Sequence, residues 1–244
     1  MSGENQSIKT LKTGQYVVIK HVLPEIKTIE LRKIANKLNS TESRPIYIAA
    51  EPLLGKSTSD RYKSAGINII LKRSSAWLKA ILGEKWLILA NKSLLRRTWP
   101  LSEREARDLG HNASNLTWHQ DSNFKHGIKP MVVMMVPLQN GAGSRRPGLS
   151  ILEAPTNQFE GVFGYEGNRV DEFEKTVIKK FGQFKTSNPQ LDSGDLLIFN
   201  GLTFHRTFSK DSMLTHRDAL LIRAIRPEDA ENFPKGPHWV IKTH

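Results

Sequence analysis

The chain contains no cysteine. This excludes disulfide scaffolds, zinc ribbons, thiol nucleophiles and thiolate-bound iron–sulfur clusters. Long apolar runs are missing as well: the longest, Met131–Leu138, falls far short of the roughly 20 residues a membrane helix needs. The opening stretch MSGENQSIKTLKTG lacks the apolar core of a signal peptide, so the sequence reads as a soluble, cytoplasmic protein. No internal repeat or low-complexity tract is visible. No glycine-rich phosphate loop and no Gly-x-Ser-x-Gly elbow occurs, leaving nucleotide hydrolysis and serine esterase chemistry without support.

What is there is an ordinary globular composition, 38% hydrophobic and 25% charged over 244 residues, enough for a packed core in one domain or two closely packed ones. Lys plus Arg is 36 against 24 acidic residues, a net charge of +12. The excess is unevenly placed: residues up to Pro100 hold 18 basic and 7 acidic side chains, the remainder 18 and 17. Such a surface attracts anions. Nucleic acid is the least favoured of them, because aromatics are not interleaved with the basic residues as a base-stacking platform requires. No run of basic residues exceeds two, and plain solubility accounts for the charge equally well.

Along the chain, Gln15–Val22 reads as a strand, and Pro24 opens a helix to about Leu38 with Ile26, Ile29, Ile34 and Leu38 near helical spacing. Pro45–Ala50 and Ile67–Leu71 read as strands, and Ser75–Leu82 as a short helix ended by Gly83. Trp86–Leu89 and Ser93–Arg96 are again strand-like. From about residue 116 the texture becomes short strand-like runs bounded by Gly, Pro, Asn or Ser: Leu116–Asp121, Pro130–Leu138, Leu149–Glu153, Asp195–Phe199, Thr203–Phe208 and Asp218–Ile225. A helical insert over roughly Asp171–Phe181 interrupts them. The expectation is a mainly β fold with flanking helices, a double-stranded β-helix or jelly roll. Residues 1–244 form a single domain on this reading, with a basic α/β portion over 1–110 packed on a core over 111–230.

The chemistry concentrates in Trp118-His119-Gln120-Asp121. Residues two apart on a strand share a face, so His119 and Asp121 converge while Gln120 points away. An imidazole and a carboxylate side by side are two-thirds of the facial triad that holds non-haem Fe(II), and His205 on a distant strand fits as the third ligand. Twelve residues later comes Arg217, at the head of a strand that the polar Ser209–Thr215 would return antiparallel beside the first. Its planar fork suits a carboxylate, and Thr207, on the face of His205, adds a hydroxyl. A metal triad beside an Arg–hydroxyl clamp matches 2-oxoglutarate, whose keto-acid end chelates iron while its far carboxylate needs a cation.

WHQDS, VPLQNGAGSRRPGLSILEAP, SGDLLIFNGLTFHRT and HRDALLIRAIRP follow in order the core of a known family. Over residues 116–227, with a vaguer match around 76–97, the sequence resembles the phytanoyl-CoA dioxygenase family of Fe(II)/2-oxoglutarate oxygenases. The resemblance implies a double-stranded β-helix, iron held by His119, Asp121 and His205, 2-oxoglutarate bound by Arg217 with Thr207, and O2 as oxidant. It implies hydroxylation of an unactivated C–H of a small organic substrate with release of succinate and CO2. Desaturation or ring formation starts from the same chemistry, whereas halogenation is disfavoured because related halogenases lack the carboxylate at Asp121. The chain departs from the family at Met134-Met135-Val136, where many members have Trp, and at Ala154-Pro155-Thr156-Asn157, in place of a glycine–serine–histidine turn.

Two competing readings remain: the same chemistry on an acyl-CoA, carrier-bound or other anionic substrate, and a non-catalytic jelly-roll binding protein. Of the other candidates, His216 points away from the iron if Arg217 points toward it, and Trp118 is favoured for core packing. His111, His126 and the Arg145-Arg146 turn border the expected pocket but read better as solvated loops, and Arg223 shares the face of Arg217 three pairs along.

Overall fold

The longest apolar run becomes a strand buried on both sides, and the architecture is laid out around it. The structure is a computed structural model that describes residues 16–38, 47–49, 66–89, 94–102, 104–105, 116, 118–124, 127–154, 179–183, 185–232 and 240–242. In chain order its elements are β1 (Tyr16–Ile19), α1 (Glu25–Leu38), β2 (Tyr47–Ala49), α2 (Ile67–Leu82), β3 (Leu87–Leu89) and β4 (Leu94–Thr98). There follow β5 (Asn123–Phe124), β6 (Gly127–Ile128), β7 (Met131–Pro137), β8 (Gly148–Leu152), β9 (Thr186–Ser187) and β10 (Leu196–Asn200). The last are β11 (His205–Phe208), β12 (Arg217–Ile225), a 3-10 turn at Pro227–Asn232 and β13 (Val240–Lys242).

Every strand pairing among the described residues is antiparallel. The major sheet runs β1-β10-β7-β12, and the far edge of β12 is shared by β4 (Arg217 opposite Thr98) and β3 (Ala224 opposite Ile88). A minor sheet has the order β11-β8-β9. Strand alternation sorts the side chains of the major sheet into two layers. Val132, Met134 and Val136 of β7 and Leu220, Ile222 and Ala224 of β12 pack against Leu31 and Ala35 of α1 and Ile67, Ile70, Leu71 and Leu78 of α2. Met131, Val133, Met135, Ala219, Leu221 and Ile225 face the other way, against Leu149 and Ile151 of the minor sheet. With helices on one face and a second sheet on the other, β7 has no side for polar residues, hence its continuous hydrophobicity.

The helices show where tertiary packing overrides local preference. Ile67–Leu71 is not a strand: it is the first part of the single helix α2, whose buried residues Ile67, Ile70, Leu71, Ser74, Leu78 and Leu82 follow a period near 3.6. β-branched residues favour strands only weakly, and one apolar stripe laid on the major sheet outweighs that preference. In α1 the buried face is Thr28, Leu31 and Ala35, while Ile26 is 61% exposed. The isoleucine spacing thus marks only the margin of the buried stripe. Leu116–Asp121 is not a strand among the described residues but a single bridge at His119 followed by a turn. Nor do β11 and β12 pair: the Ser209–His216 connection carries the chain from the minor sheet to the major one. The helical insert is described only at 179–181, where it is helical.

One glycine turn fastens the N-terminal elements to this frame. Gly194, with φ +83°, donates its N–H to the Pro137 carbonyl, and its own carbonyl accepts from Val22 and Leu23 at 2.8 and 3.0 Å. Next to it the Asp195 carboxylate accepts from Lys20 Nζ (2.7 Å), the His21 amide (3.0 Å) and the Asp192 amide (2.8 Å). The entry to α1 is therefore held against the turn that starts β10.

Candidate metal centre

His205 opens β11 and is tied to His119 by a pair of backbone hydrogen bonds of 2.9 and 3.0 Å. The two rings stack at a tilt, centroids 4.2 Å apart, with Phe199 of β10 edge-on to His205 at 4.7 Å. After His119 the chain turns: Gln120 reaches the Leu202 carbonyl and the Ser122 amide bonds the Gly201 carbonyl at 3.0 Å. The turn swings Asp121 back over the histidines. Ligand atoms of His119, Asp121 and His205 all lie within 4.8 Å of one another.

Hydrogen bonding orients these donors. Nδ1 of His205 lies 3.0 Å from the Thr203 carbonyl, which can only accept. The ring proton therefore sits on Nδ1 and the Nε2 lone pair is available, the arrangement a metal-ligating histidine uses. That Nε2 faces Oδ2 of Asp121 across 3.7 Å, too far for a hydrogen bond, and Oδ2 is buried without a hydrogen-bond partner among the described residues. The other oxygen, Oδ1, accepts from Arg223 Nη2 at 2.9 Å. Burial pushes the Asp121 carboxyl up, but Arg223 and the two histidines outweigh it and hold the group well below the usual carboxylate range. Burial, with Arg223 and Arg96, pushes His205 below the ordinary imidazole value against the pull of Asp121 and Thr203. Two imidazoles and an ionised carboxylate meeting at one buried point form a nitrogen–oxygen donor set suited to a divalent first-row metal.

β12 supplies cations to the same interior. Arg217, Ala219, Leu221, Arg223 and Ile225 share its inner face by alternation, with Arg223 beside Asp121 and Arg217 at the other end. Arg217 is 2% exposed and donates from Nη2 to Thr98 Oγ1 at 3.1 Å, while its Nε and Nη1 have no partner among the described residues. Burial, and then the neighbouring Arg96, bring its guanidinium down to about 9, so it stays charged at neutral pH. Arg96, on the neighbouring strand β4, adds positive charge that acts on both Arg217 and His205.

Thr207 hydrogen-bonds the backbone of Leu116 twice, its hydroxyl oxygen accepting at 2.9 Å and its amide donating at 2.8 Å. His216 lies 3.5 Å from Asp218, on the helix side of β12 with Arg97 and Gln139. Arg146 donates to the His216 carbonyl, Arg145 is exposed, and Trp118 packs with Leu152, Ala154, Phe181 and Phe204. His111 and His126 lie outside the described residues. Sequence reasoning missed Arg96, Thr98 and the hold of Arg223 on Asp121. The face shared by Arg217 and Arg223 follows from alternation, whereas the register of β4 against β12 has no local signal.

No protein-family model and no curated protein matches the sequence. Solved structures do share its fold. The non-haem alpha ketoglutarate dependent carbocyclase SnoK from nogalamycin biosynthesis superposes with a TM-score of 0.66 at 11% identity, covering 98% of this chain and 96% of that one. HygX from Streptomyces hygroscopicus, with nickel and 2-oxoglutarate bound, gives 0.61 at 16% identity, covering 98% and 97%. The epimerase SnoN, in complex with Fe3+, alpha ketoglutarate and nogalamycin RO, gives 0.61 at 14%, covering 92% and 84%. At these identities the likeness is one of fold, a mainly antiparallel β architecture with flanking helices.

Proposed function

We propose that the protein is an Fe(II)/2-oxoglutarate-dependent oxygenase that hydroxylates an unactivated C–H of a small organic molecule, releasing succinate and CO2. The observation that carries this is a pair of buried sites left unfilled by the described residues: Asp121 Oδ2 facing His205 Nε2, and Arg217 with two guanidinium nitrogens unpartnered among those residues. Buried polar atoms in folded proteins almost always have partners. A divalent cation satisfies the first set and a carboxylate the second, and iron with 2-oxoglutarate supplies both.

On this reading His119, Asp121 and His205 hold iron from one side. Arg217, steadied by Thr98, takes the far carboxylate of 2-oxoglutarate, and Thr207 fixes the strand that bears His205. Iron, 2-oxoglutarate and O2 together supply the oxidant that removes hydrogen from carbon. Phe199, Ala219 and Leu221 line the interior with apolar surface and keep water from it. The two sheets are read as the halves of a double-stranded β-helix, with the phytanoyl-CoA dioxygenase family as the nearest type. Residues 1–110 and the core form one folded unit in this proposal, supported by the pairing of β1 with β10 and of β3 and β4 with β12. Among the described residues no helix is long and apolar enough to cross a membrane. Since structures of the same fold include a carbocyclase and an epimerase, the substrate sets the outcome as much as the fold does.

Anaerobic addition of Fe(II) and 2-oxoglutarate to the protein tests the proposal. A visible charge-transfer absorption is expected, followed under O2 by succinate formation even without substrate, and Asp121→Ala loses both. Wild-type protein that shows neither signal is not an oxygenase of this type.

A further inference from the structure

Arg223 has a place in the site that the ligand set and the Arg217 clamp leave unexplained. It stands on the inner face of β12, opposite Val133, six residues from Arg217. At about 3.3 Å per residue, the two lie roughly 20 Å apart along the strand. A single 2-oxoglutarate pinned by Arg217 at its far end does not need this second arginine so distant. Arg223 instead donates to Asp121 Oδ1 at 2.9 Å, with both side chains about nine-tenths buried. The contact occupies one carboxylate oxygen and leaves the other, Oδ2, aimed at His205 Nε2.

Resting on the oxygenase reading, the geometry points to Arg223 as the positioning residue of the metal centre: it locks Asp121 as a one-oxygen ligand. Asp121 sits in a turn rather than a strand, so no backbone ladder fixes its side chain. Without the guanidinium the carboxylate is free to rotate, or to offer both oxygens to the metal and crowd a coordination position. The electrostatic effect has the opposite sign. A cation beside the site repels the incoming metal ion, so a guanidinium that acted through charge alone would weaken metal binding. Orientation and repulsion therefore predict opposite outcomes when the side chain is removed.

The experiment titrates Co(II) into wild type, Arg223→Met and Arg223→Lys, reading affinity by calorimetry and coordination by the visible Co(II) spectrum. Methionine preserves bulk and removes both charge and donor; lysine keeps one of each. Arg223→Met should bind Co(II) about 10- to 100-fold more weakly, the usual cost of losing a group that orients a ligand, with an altered spectrum. Arg223→Lys should stay within about threefold of wild type. Equal or tighter binding by Arg223→Met overturns the assignment, as does equal loss in both variants. Wild type that binds no Co(II), or binds it equally after His119→Ala, refutes the metal-centre reading itself and the positioning role with it.

Discussion

Replacing Arg217 by methionine should make the ligand-free protein more stable while sharply weakening its response to 2-oxoglutarate. The side chain is 2% exposed, yet two of its three guanidinium nitrogens have no partner among the described residues. Each unsatisfied buried polar group costs about 1–3 kcal/mol. Methionine removes that penalty and the repulsion from Arg96, at the loss of one hydrogen bond to Thr98 worth about 1 kcal/mol. The net expectation is a gain of about 1–5 kcal/mol, or a melting temperature about 2–20 °C higher for a chain of this size. Binding moves the other way. Truncating one partner of a buried, hydrogen-bonded charge pair costs about 2–5 kcal/mol, so affinity for 2-oxoglutarate should fall by at least about 30-fold. Thermal unfolding with Ni(II) in place of iron reads both effects. At 2-oxoglutarate concentrations about 100-fold above its dissociation constant, wild type gains about 2.7 kcal/mol, and the variant at the same concentration gains at most about 0.9 kcal/mol. If Arg217→Met lowers the stability of the ligand-free protein by several kcal/mol, the guanidinium is a structural ion and its assignment to 2-oxoglutarate is wrong.

Asp218 should set part of the acid limit of stability. Burial pushes its carboxyl up, but bonds and charge from His216 and Arg97 outweigh this and take it from 3.8 down to about 2. A carboxyl depressed by folding stabilises the protein above its unfolded value and loses that contribution as pH falls toward the folded one. Between pH of about 4 and 2, wild type should therefore lose about 2 kcal/mol that Asp218→Asn does not, measured by urea unfolding at each pH; parallel curves would remove the basis for this. Gly194→Ala places a side chain at φ +83° against the Leu23 carbonyl, so a loss of about 1–3 kcal/mol is expected by thermal unfolding. An unchanged midpoint would show that the turn is not pinned.

The residues that were readable from sequence are those whose signal is local. α1 begins after Pro24 because proline fixes the first turn, and β7, β8, β10 and β12 follow their apolar runs within a residue or two. His119 and Asp121 come together as the His-x-Asp spacing anticipates, though through a bridge and a turn rather than a strand. Sequence fails where distant segments decide. Ile67–Leu71 carries β-type residues, and only the sheet beneath it makes it helical. His205 and Arg217 lie twelve residues apart, yet the chain between them changes sheets, a crossing that Ser209–His216 does not encode. Thr98 meets Arg217 across more than a hundred residues, through a register set by the whole sheet.

Because β12 sends odd-numbered side chains to the interior and even-numbered ones to the helices, it writes two messages in alternate letters. Deleting a single residue near its middle would turn one guanidinium toward the hydrophobic helices, and bring an aliphatic side chain in its place. The strand can therefore accept exchanges letter by letter but not a change in its length. Redesign of this protein is best directed to its loops, with the nine residues from Arg217 to Ile225 kept as an indivisible word.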